Sequence, residues 1–578
     1  MKLNRLLTIF ALVCLVTLSL YAQSENDKYD KFSADFLKGY FAGSPLSATY
    51  IGIHDYDNKL DDVSSSAMKA ETERLKKFEK EFSSLDQKSL SKNRSIDCRI
   101  ILENIDESLF STEELKEYQW NPMVYTGAVG NSLAGLIFQE FAPLETRLKN
   151  ASERAKLIPN FIEQAKTNLT SAPKIHVETA IRQNQGNIGM FKEDFVKAAA
   201  TASPEVQALV KSSSEIAIAA LESFGKWLKD DLLPRANKDF RLGKSLYDKK
   251  LTHALKSNLT PDDVLKRALS EKDRVHDEMY KLAAPLYKEY YSEDAAGKDK
   301  LTVIKAVLDK IVLDHCKPEE VMDVIKKMMP QIEKFIVDKN LLALDPSQPL
   351  VIRETPEYER GVAVASLESP GPLEKNMKSF YNVTPIPSEW TPDQVESYLR
   401  EYNNWSLQDL SIHEGIPGHY VQLYYSNRYP SVIRSVYGSG SMVEGWAVYA
   451  ERMMIEQGYM NNDPRMKLIN LKWYIRAVLN SVIDQKIHAY GMTEKEMMDL
   501  LTKEGFQEER EAAGKWRRAN LTSAQLSTYF VGFQEIWDLR DAYKKKMGDK
   551  FSLKDFHETF MSFGSPSVKY IREMMLGK

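Results

Sequence analysis

Between positions 411 and 419 the chain reads Ser-Ile-His-Glu-Gly-Ile-Pro-Gly-His, which sets His413, Glu414 and His419 in one short stretch. About 25 residues further on comes Glu444-Gly445-Trp446-Ala447-Val448-Tyr449-Ala450-Glu451. Two His and one Glu form a ligand set that zinc accepts, with a fourth position left for water. A Glu beside the first His is placed to act as base on that water. The chemistry on offer is metal-assisted hydrolysis, with His413, His419 and Glu444 as metal ligands and Glu414 as general base.

The spacing constrains the elements that must hold these groups. Two ligating His on one helix face are usually four residues apart, whereas here the step is six. On an ideal helix that step swings the second ring by roughly 120°. Pro417 has no N–H for the carbonyl of His413 and crowds it. Gly415 and Gly418 admit backbone shapes that other residues resist. The segment therefore predicts a kink or two-residue excursion that returns His419 to the metal; a broken helix carrying two unrelated His stays open. Ser441 and Glu444 also fit a capping box, so Glu444 has a purely local reading. Met442, Val443, Trp446, Val448, Tyr449, Met453 and Met454 carry a helical pattern that stops near Gly458. Glu444 and Glu451 share one face of that helix, and burying two acids requires something cationic between them.

These segments resemble a family catalogued as domain of unknown function 885, whose members carry His-Glu-x-x-Pro-Gly-His followed by Glu-Gly-Trp-Ala-x-Tyr-x-Glu. Ser44 to Asp57 is similar to its opening motif. Tyr529-Phe530-Val531-Gly532 and Phe551 to His557 are similar to its closing ones. The resemblance runs along nearly the whole mature chain. It implies a helical zinc metallopeptidase in which His413, His419 and Glu444 bind the metal and Glu414 is the base. A Gly-rich, Asn-containing strand usual in that family is matched only loosely by Ser366 to Gly371 and Phe380 to Val383. That leaves substrate preference less defined than the chemistry.

The N-terminus has a basic start at Lys2 and Arg5, an apolar run from Leu6 to Leu20, and a small residue at Ala22. This describes a secretory signal over residues 1–22, shorter than a spanning helix needs. Cys14 sits in mid-run, a poor place for lipid attachment. No later stretch is apolar enough to span a bilayer, so the mature chain is expected to be exported, periplasmic or secreted. Losing the signal shifts the formal charge from −4 to −6, which disfavours a nucleic-acid partner. Cys98 and Cys316 are then the only cysteines and form no disulfide framework, and whether they pair is open. A hydrophobic content of 43% with 28% charged residues fits an enzyme with a large core.

Apolar residues at three- and four-residue spacing predict helices over 69–82, 95–108, 153–169, 205–228, 261–289, 301–313 and 318–337. Around 345–385 the pattern turns β-like, at Leu350-Val351-Ile352 and Gly361 to Ala365. Helices resume from Trp390. The expected fold is mainly α: a large helical body around a cleft, with a small β-sheet next to the zinc-binding helices. The sheet edge could hold an extended peptide by backbone pairing. The expected divisions are a signal peptide 1–22, an N-terminal helical half 23–345 and a C-terminal catalytic half 346–578.

An oxyanion donor is needed as well. Tyr529, His557 and His488 are candidates, each with packing as the competing reading. Asp484 and His488, four apart, could face each other, either at the site or as a buried polar pair. Arg476, Arg517, Arg518 and Arg540 are candidates for clamping a substrate carboxylate or are ordinary surface charges. His54, His176, His253, His276 and His315 read as structural. The expected function is a zinc hydrolase of short peptides. A zinc hydrolase of another amide or ester, or a binding protein with a decayed site, are the alternatives. The intact His413, Glu414, His419 and Glu444 weigh against decay, and no Gly-x-Ser-x-Gly elbow supports a serine hydrolase.

Overall fold

The computed structural model describes residues 2–347, 349–356, 364–374 and 377–577, with side chains from residue 23 onward. It is mainly α-helical with one small sheet, as the periodicity predicts. The chain forms two compact units. The first is Met1–Lys238 with Gly371–Lys375 and Val432–Tyr437; the second is Asp239–Pro370, Asn376–Ser431 and Gly438–Lys578. This division differs from the expected one near 345, because the helices between 239 and 345 pack into the core of the second unit.

The first unit shows how its helices arise. Helix Leu144–Asn168 turns Leu148, Ala151, Ala155, Ile158 and Ile162 inward at three- and four-residue steps. Helix Pro204–Trp227 does the same with Val206, Val210, Ala217, Leu221 and Phe224. These stripes share one core with Tyr125, Val129 and Leu133 of helix Met123–Phe138. Each fully buried aliphatic side chain contributes about 1.5–3 kcal/mol, so such stripes decide the packing. His54 lies here, hydrogen-bonded to Asp57 at 3.0 Å and Glu374 at 2.8 Å and stacked on Phe141.

The second unit is built around helix Pro464–Tyr490, which is buried on nearly every side: Leu468, Ile475, Val478, Val482 and Ile483 on one hand, Asn470, Lys472, Ser481 and Asp484 on the other. A helix enclosed all round is a central core element. Asp463 caps its start through the Arg465 N–H, and Gly491 ends it in the left-handed region at φ 74°. The sheet has the order β1 (Leu350–Glu354), β3 (Ser379–Val383), β2 (Ala365–Glu368). β1 runs parallel to β3 and β2 antiparallel to it, with Leu367 opposite Tyr381. β3 turns Tyr381, Asn382 and Val383 into the interior, and Arg353 ties the strands by donating to Asn382 and Glu368. β1 matches the predicted strand. Gly361 to Ala363 of the second predicted strand lie outside the described residues, and β2 begins at Ala365.

No described helix is long and apolar enough to cross a membrane. The expected signal segment falls in the first part of helix Lys2–Gly43, where side chains are not described. Cys98 and Cys316 are not joined in a disulfide.

Candidate metal centre

The first His helix, Asn404–Glu414, starts where the Asn403 side chain accepts from the Trp405 and Ser406 N–H groups, both at 3.1 Å. It ends at Gly415, whose N–H donates to the Ser411 carbonyl. The second His helix, His419–Ser426, begins after Gly418. The six-residue step is thus a break between two helices, not a kink inside one. Gly418 is what lets the break close. Its N–H donates to the Ile412 carbonyl at 3.0 Å, and a Cβ there would lie 1.9 Å from the His413 carbonyl oxygen. Trp446 Nε1 donates to the Pro417 carbonyl at 2.9 Å and pins the turn to the next helix.

That next helix, Gly440–Glu456, carries Glu444. Its cap is Ser439, whose hydroxyl accepts from the Met442 N–H, and not Ser441 as the local pattern suggests; the Ser441 hydroxyl is buried with no partner among the described residues. The helix meets helix Thr528–Met547 through two glycines. A Cβ on Gly445 would approach the Gly532 backbone to 2.3 Å, and one on Gly532 would sit 1.8 Å from the Ser441 carbonyl oxygen. This close approach explains the glycine in each motif, and it carries Tyr529 to the site.

One ligand atom from each of His413, His419 and Glu444 comes together, all within 4.8 Å of one another. Glu444 Oε2 is 3.4 Å from His419 Nε2 and 3.8 Å from His413 Nε2. The two imidazoles are each 12% exposed and Glu444 21%, so the cluster is sheltered without being sealed from solvent. Glu451 accepts from His413 Nδ1 at 2.5 Å. With Nδ1 committed as donor to Glu451, Nε2, which faces Glu444, is the nitrogen left for a metal, which would displace its proton on binding. Burial presses the His413 pKa down, but the Glu444 and Glu451 carboxylates outweigh it and raise it well above the ordinary value. Burial would raise Glu444; the two imidazoles reverse that and hold it far below the usual carboxylate range. Glu444 Oε2 and His419 Nδ1 are buried without a hydrogen-bond partner among the described residues. Three donor atoms of this type, turned toward one point with a carboxylate oxygen unsatisfied, fit a tetrahedral zinc ion.

Glu414 follows His413 on the same helix, and its Oε2 accepts from the Leu367 N–H of edge strand β2 at 3.1 Å. The small sheet therefore adjoins the site as expected. Tyr529 stacks near His413 with ring centroids 6.4 Å apart. Burial and the Glu444 carboxylate raise its pKa, so it holds its proton. Its hydroxyl oxygen accepts from Arg518 at 3.3 Å and Gln525 at 3.5 Å, leaving the O–H free to donate.

The structure does not bring His557 or His488 to this cluster as donors. His557 is fully buried, donates through Nδ1 to the Leu341 carbonyl and accepts at Nε2 from the Tyr449 hydroxyl, both at 2.8 Å. Burial drops its pKa to about 4, and neither nitrogen has a proton to offer a substrate. His488 Nε2 is shared between the Ala519 and Thr522 carbonyls, and its ring stacks on Tyr247. Asp484 takes other partners, the Ala524 N–H and the Ser527 hydroxyl, so the two do not form the anticipated pair. Arg540 is committed to Glu456 by two bonds and lies 3.8 Å over Trp537.

Two acids carry more than the motifs suggest. Glu451 orients His413, a role foreshadowed only by its seven-residue offset from Glu444. Asp409, one turn before His413 and fully buried, accepts twice from Asn470 at 3.1 Å. Burial and the neighbouring Glu451 carboxylate raise its pKa well above the ordinary value. Asn470 in turn accepts from Arg452 at 2.9 Å.

Fold and site define a helical protein with a His-His-Glu centre on two short helices and a third. The chain belongs to the family described as bacterial protein of unknown function DUF885, whose model matches residues 45–575. It is similar to a solved structure described as a putative lipoprotein of unknown function from Shewanella oneidensis: 38% identity, TM-score 0.82, covering 95% of this chain and 99% of that one. A second, described as a putative lipoprotein from Colwellia psychrerythraea, shares the fold at 17% identity with a TM-score of 0.78, covering 96% and 98%. No curated protein matches the chain.

Proposed function

We propose that this protein is an exported zinc-dependent metallopeptidase acting on short peptides. The observation that carries the reading is the convergence of His413, His419 and Glu444 within 4.8 Å, with Glu414 adjacent and Glu451 behind His413. A zinc ion held by those three residues would supply Lewis acidity to a water and to the substrate carbonyl. Glu414 is placed to take the proton from that water and pass it to the departing amine. Tyr529 donates its O–H to the developing oxyanion. β2, at the sheet edge, offers main-chain groups that an extended peptide can pair with. Glu414 is held by one of them, so base and substrate are registered to the same strand. The N-terminal basic and apolar pattern supports export, and the lipoprotein descriptions of the two similar structures accord with an envelope location.

The test is elemental analysis of the purified protein beside His419→Ala and Glu414→Gln, followed by a peptide-library digest. About one zinc per chain in wild type and Glu414→Gln, near none in His419→Ala, is the expected result. Glu414→Gln should lose about a hundredfold to ten-thousandfold in turnover. Full zinc retention in His419→Ala removes the ligand assignment; near-normal activity in Glu414→Gln removes the base.

A further inference from the structure

A second polar cluster lies in the same unit, on helix Glu509–Leu521 and the elements beside it. Lys472 pairs with Glu401 at 2.9 Å, and Arg476 pairs with Glu511. Those two pairs balance. Lys515 does not: it is 4% exposed, yet no carboxylate among the described residues lies within ion-pair distance of its ammonium. Its charged surroundings are Arg476, Glu511, Arg518 and Glu401, two of each sign, and the two acids already hold Arg476 and Lys472. Burial and the Arg476 charge drive the Lys515 pKa well below the ordinary value.

The cluster also holds polar atoms that make no hydrogen bond, three of them donors and one, Gln507 Oε1, an acceptor. Trp473 Nε1 and both polar atoms of the Gln507 amide are buried without a hydrogen-bond partner among the described residues, and Arg476 Nη1, also without one, lies 3.9 Å from a Glu401 oxygen. Arg476 lies 5.3 Å over the Trp473 ring. Gln507 is 5% exposed and precedes Glu508, whose N–H donates to Glu401. Native interiors pair nearly all such groups, so unpaired donors beside a buried lysine with no acid partner point to an absent acceptor.

Arg518 connects this cluster to the metal centre. It is exposed, three residues after Lys515 and so on the same helix face. Its described partners are neutral, the Gln525 amide and the Tyr529 hydroxyl, and Tyr529 stacks near His413. A carboxylate one or two residues beyond a carbonyl at the centre lies about 3.5–7 Å further along an extended chain.

We propose that Lys515, with Arg518 at the rim, forms an anion subsite that takes the C-terminal carboxylate of a short peptide. This rests on the peptidase reading for the identity of the ligand. It gives that reading a specificity: peptides with a free carboxyl end close to the cleaved bond, in preference to interior bonds of long chains. The Lys515 amine and the Arg518 guanidinium donate to the two carboxylate oxygens, and the bound anion favours the ammonium form that burial and Arg476 disfavour.

The test is calorimetric binding to the full chain as purified. The probes are an N-acetyl pseudodipeptide whose peptide bond is reduced to a methylene amine, as the free acid, and its C-terminal amide. Wild type should bind the acid about tenfold to a hundredfold more tightly than the amide, the range for a hydrogen bond to a charged group. Lys515→Met keeps the side-chain volume and should abolish the difference. Arg518→Gln, at an exposed position, should reduce it. Lys503→Met, exposed and paired among the described residues with Asp499, should leave it unchanged. Equal binding of acid and amide by wild type, or a full acid preference in both Lys515→Met and Arg518→Gln, overturns the subsite. Peptide cleavage without acid preference would keep the peptidase reading and remove the subsite. Acid preference lost in Lys515→Met, in a protein that holds no zinc and cleaves nothing, would keep the subsite and remove the peptidase reading.

Discussion

Replacing Glu451 by Gln removes the charge behind His413 while keeping the side chain's shape. The perturbed contact is the 2.5 Å bond from His413 Nδ1, sheltered by a Glu451 side chain only 3% exposed. A hydrogen bond to a charged group contributes about 1.5–3 kcal/mol and a neutral one about 0.5–1.5 kcal/mol. The difference, about 1–2 kcal/mol, corresponds to roughly a fivefold to thirtyfold weaker hold on the metal, since about 1.4 kcal/mol is a factor of ten. Glu451→Ala loses the acceptor as well and leaves the imidazole free to change tautomer, so the loss approaches about a hundredfold. Competition for zinc against a chromophoric chelator at fixed pH measures both, with thermal melting to confirm that each variant is folded. If both folded variants bind zinc within about threefold of wild type, under about 0.7 kcal/mol, then Glu451 does not tune His413 and the tautomer argument fails.

Tyr529→Phe should keep its zinc and lose about a hundredfold to a thousandfold in turnover, because only the donating O–H is removed; a loss below about tenfold in a steady-state assay excludes it as the oxyanion donor. Gly532→Ala places a Cβ 1.8 Å from the Ser441 carbonyl oxygen, so the helices must part, at about 1–3 kcal/mol; the denaturation midpoint should fall, zinc affinity should fall with it because Glu444 rides on the displaced helix, and a wild-type midpoint refutes the close-approach argument. His557 titrates at about 4 in the folded protein against 6.5 ordinarily, because burial opposes its charge. Between those values the unfolded chain binds the extra proton, so stability falls as pH drops from 6.5 toward 4, by up to about 3 kcal/mol for this residue. His557→Gln should flatten that limb relative to wild type in urea melts across the window, and an unchanged slope shows that His557 is not buried neutral.

Much of the helical body was legible because burial imposes a period. The stripes of Leu148, Ala151 and Ala155, or Val206, Val210 and Ala217, follow directly from three- and four-residue spacing. Boundaries were less so. The helix predicted from 153 begins at Leu144, since its first turns carry Glu145, Arg147 and Lys149 among the apolar positions, and Arg147 is buried by donating to the Leu136 and Ile137 carbonyls. β3 was suggested only through family resemblance. Its Phe-Tyr-Asn run becomes a central strand because Asn382 finds Arg353 and Tyr381 reaches Ser411, contacts that local sequence does not record.

The site divides along the same line. Spacing shows which groups share a face; it does not show what each meets. The seven-residue offset of Glu444 and Glu451 required something cationic between two sheltered acids, and the structure supplies imidazoles to both. Gly418 and Gly532 were legible as glycines but not as the contacts that demand them, because the opposing atoms are carbonyls of Ile412, His413 and Ser441. His557 and His488 misled for the complementary reason. A His that is buried neutral and a His that donates to a substrate look alike in sequence, and only the carbonyls of Leu341, Ala519 and Thr522 tell them apart. Lys515 reverses the case. Sequence makes it an ordinary charge on a helix, and its isolation appears only once Glu401 and Glu511 are seen to be taken by Lys472 and Arg476. A buried ionisable group becomes informative when its neighbours' pairings are counted, which is why the proposed carboxylate subsite is a statement about the folded unit and not about any motif.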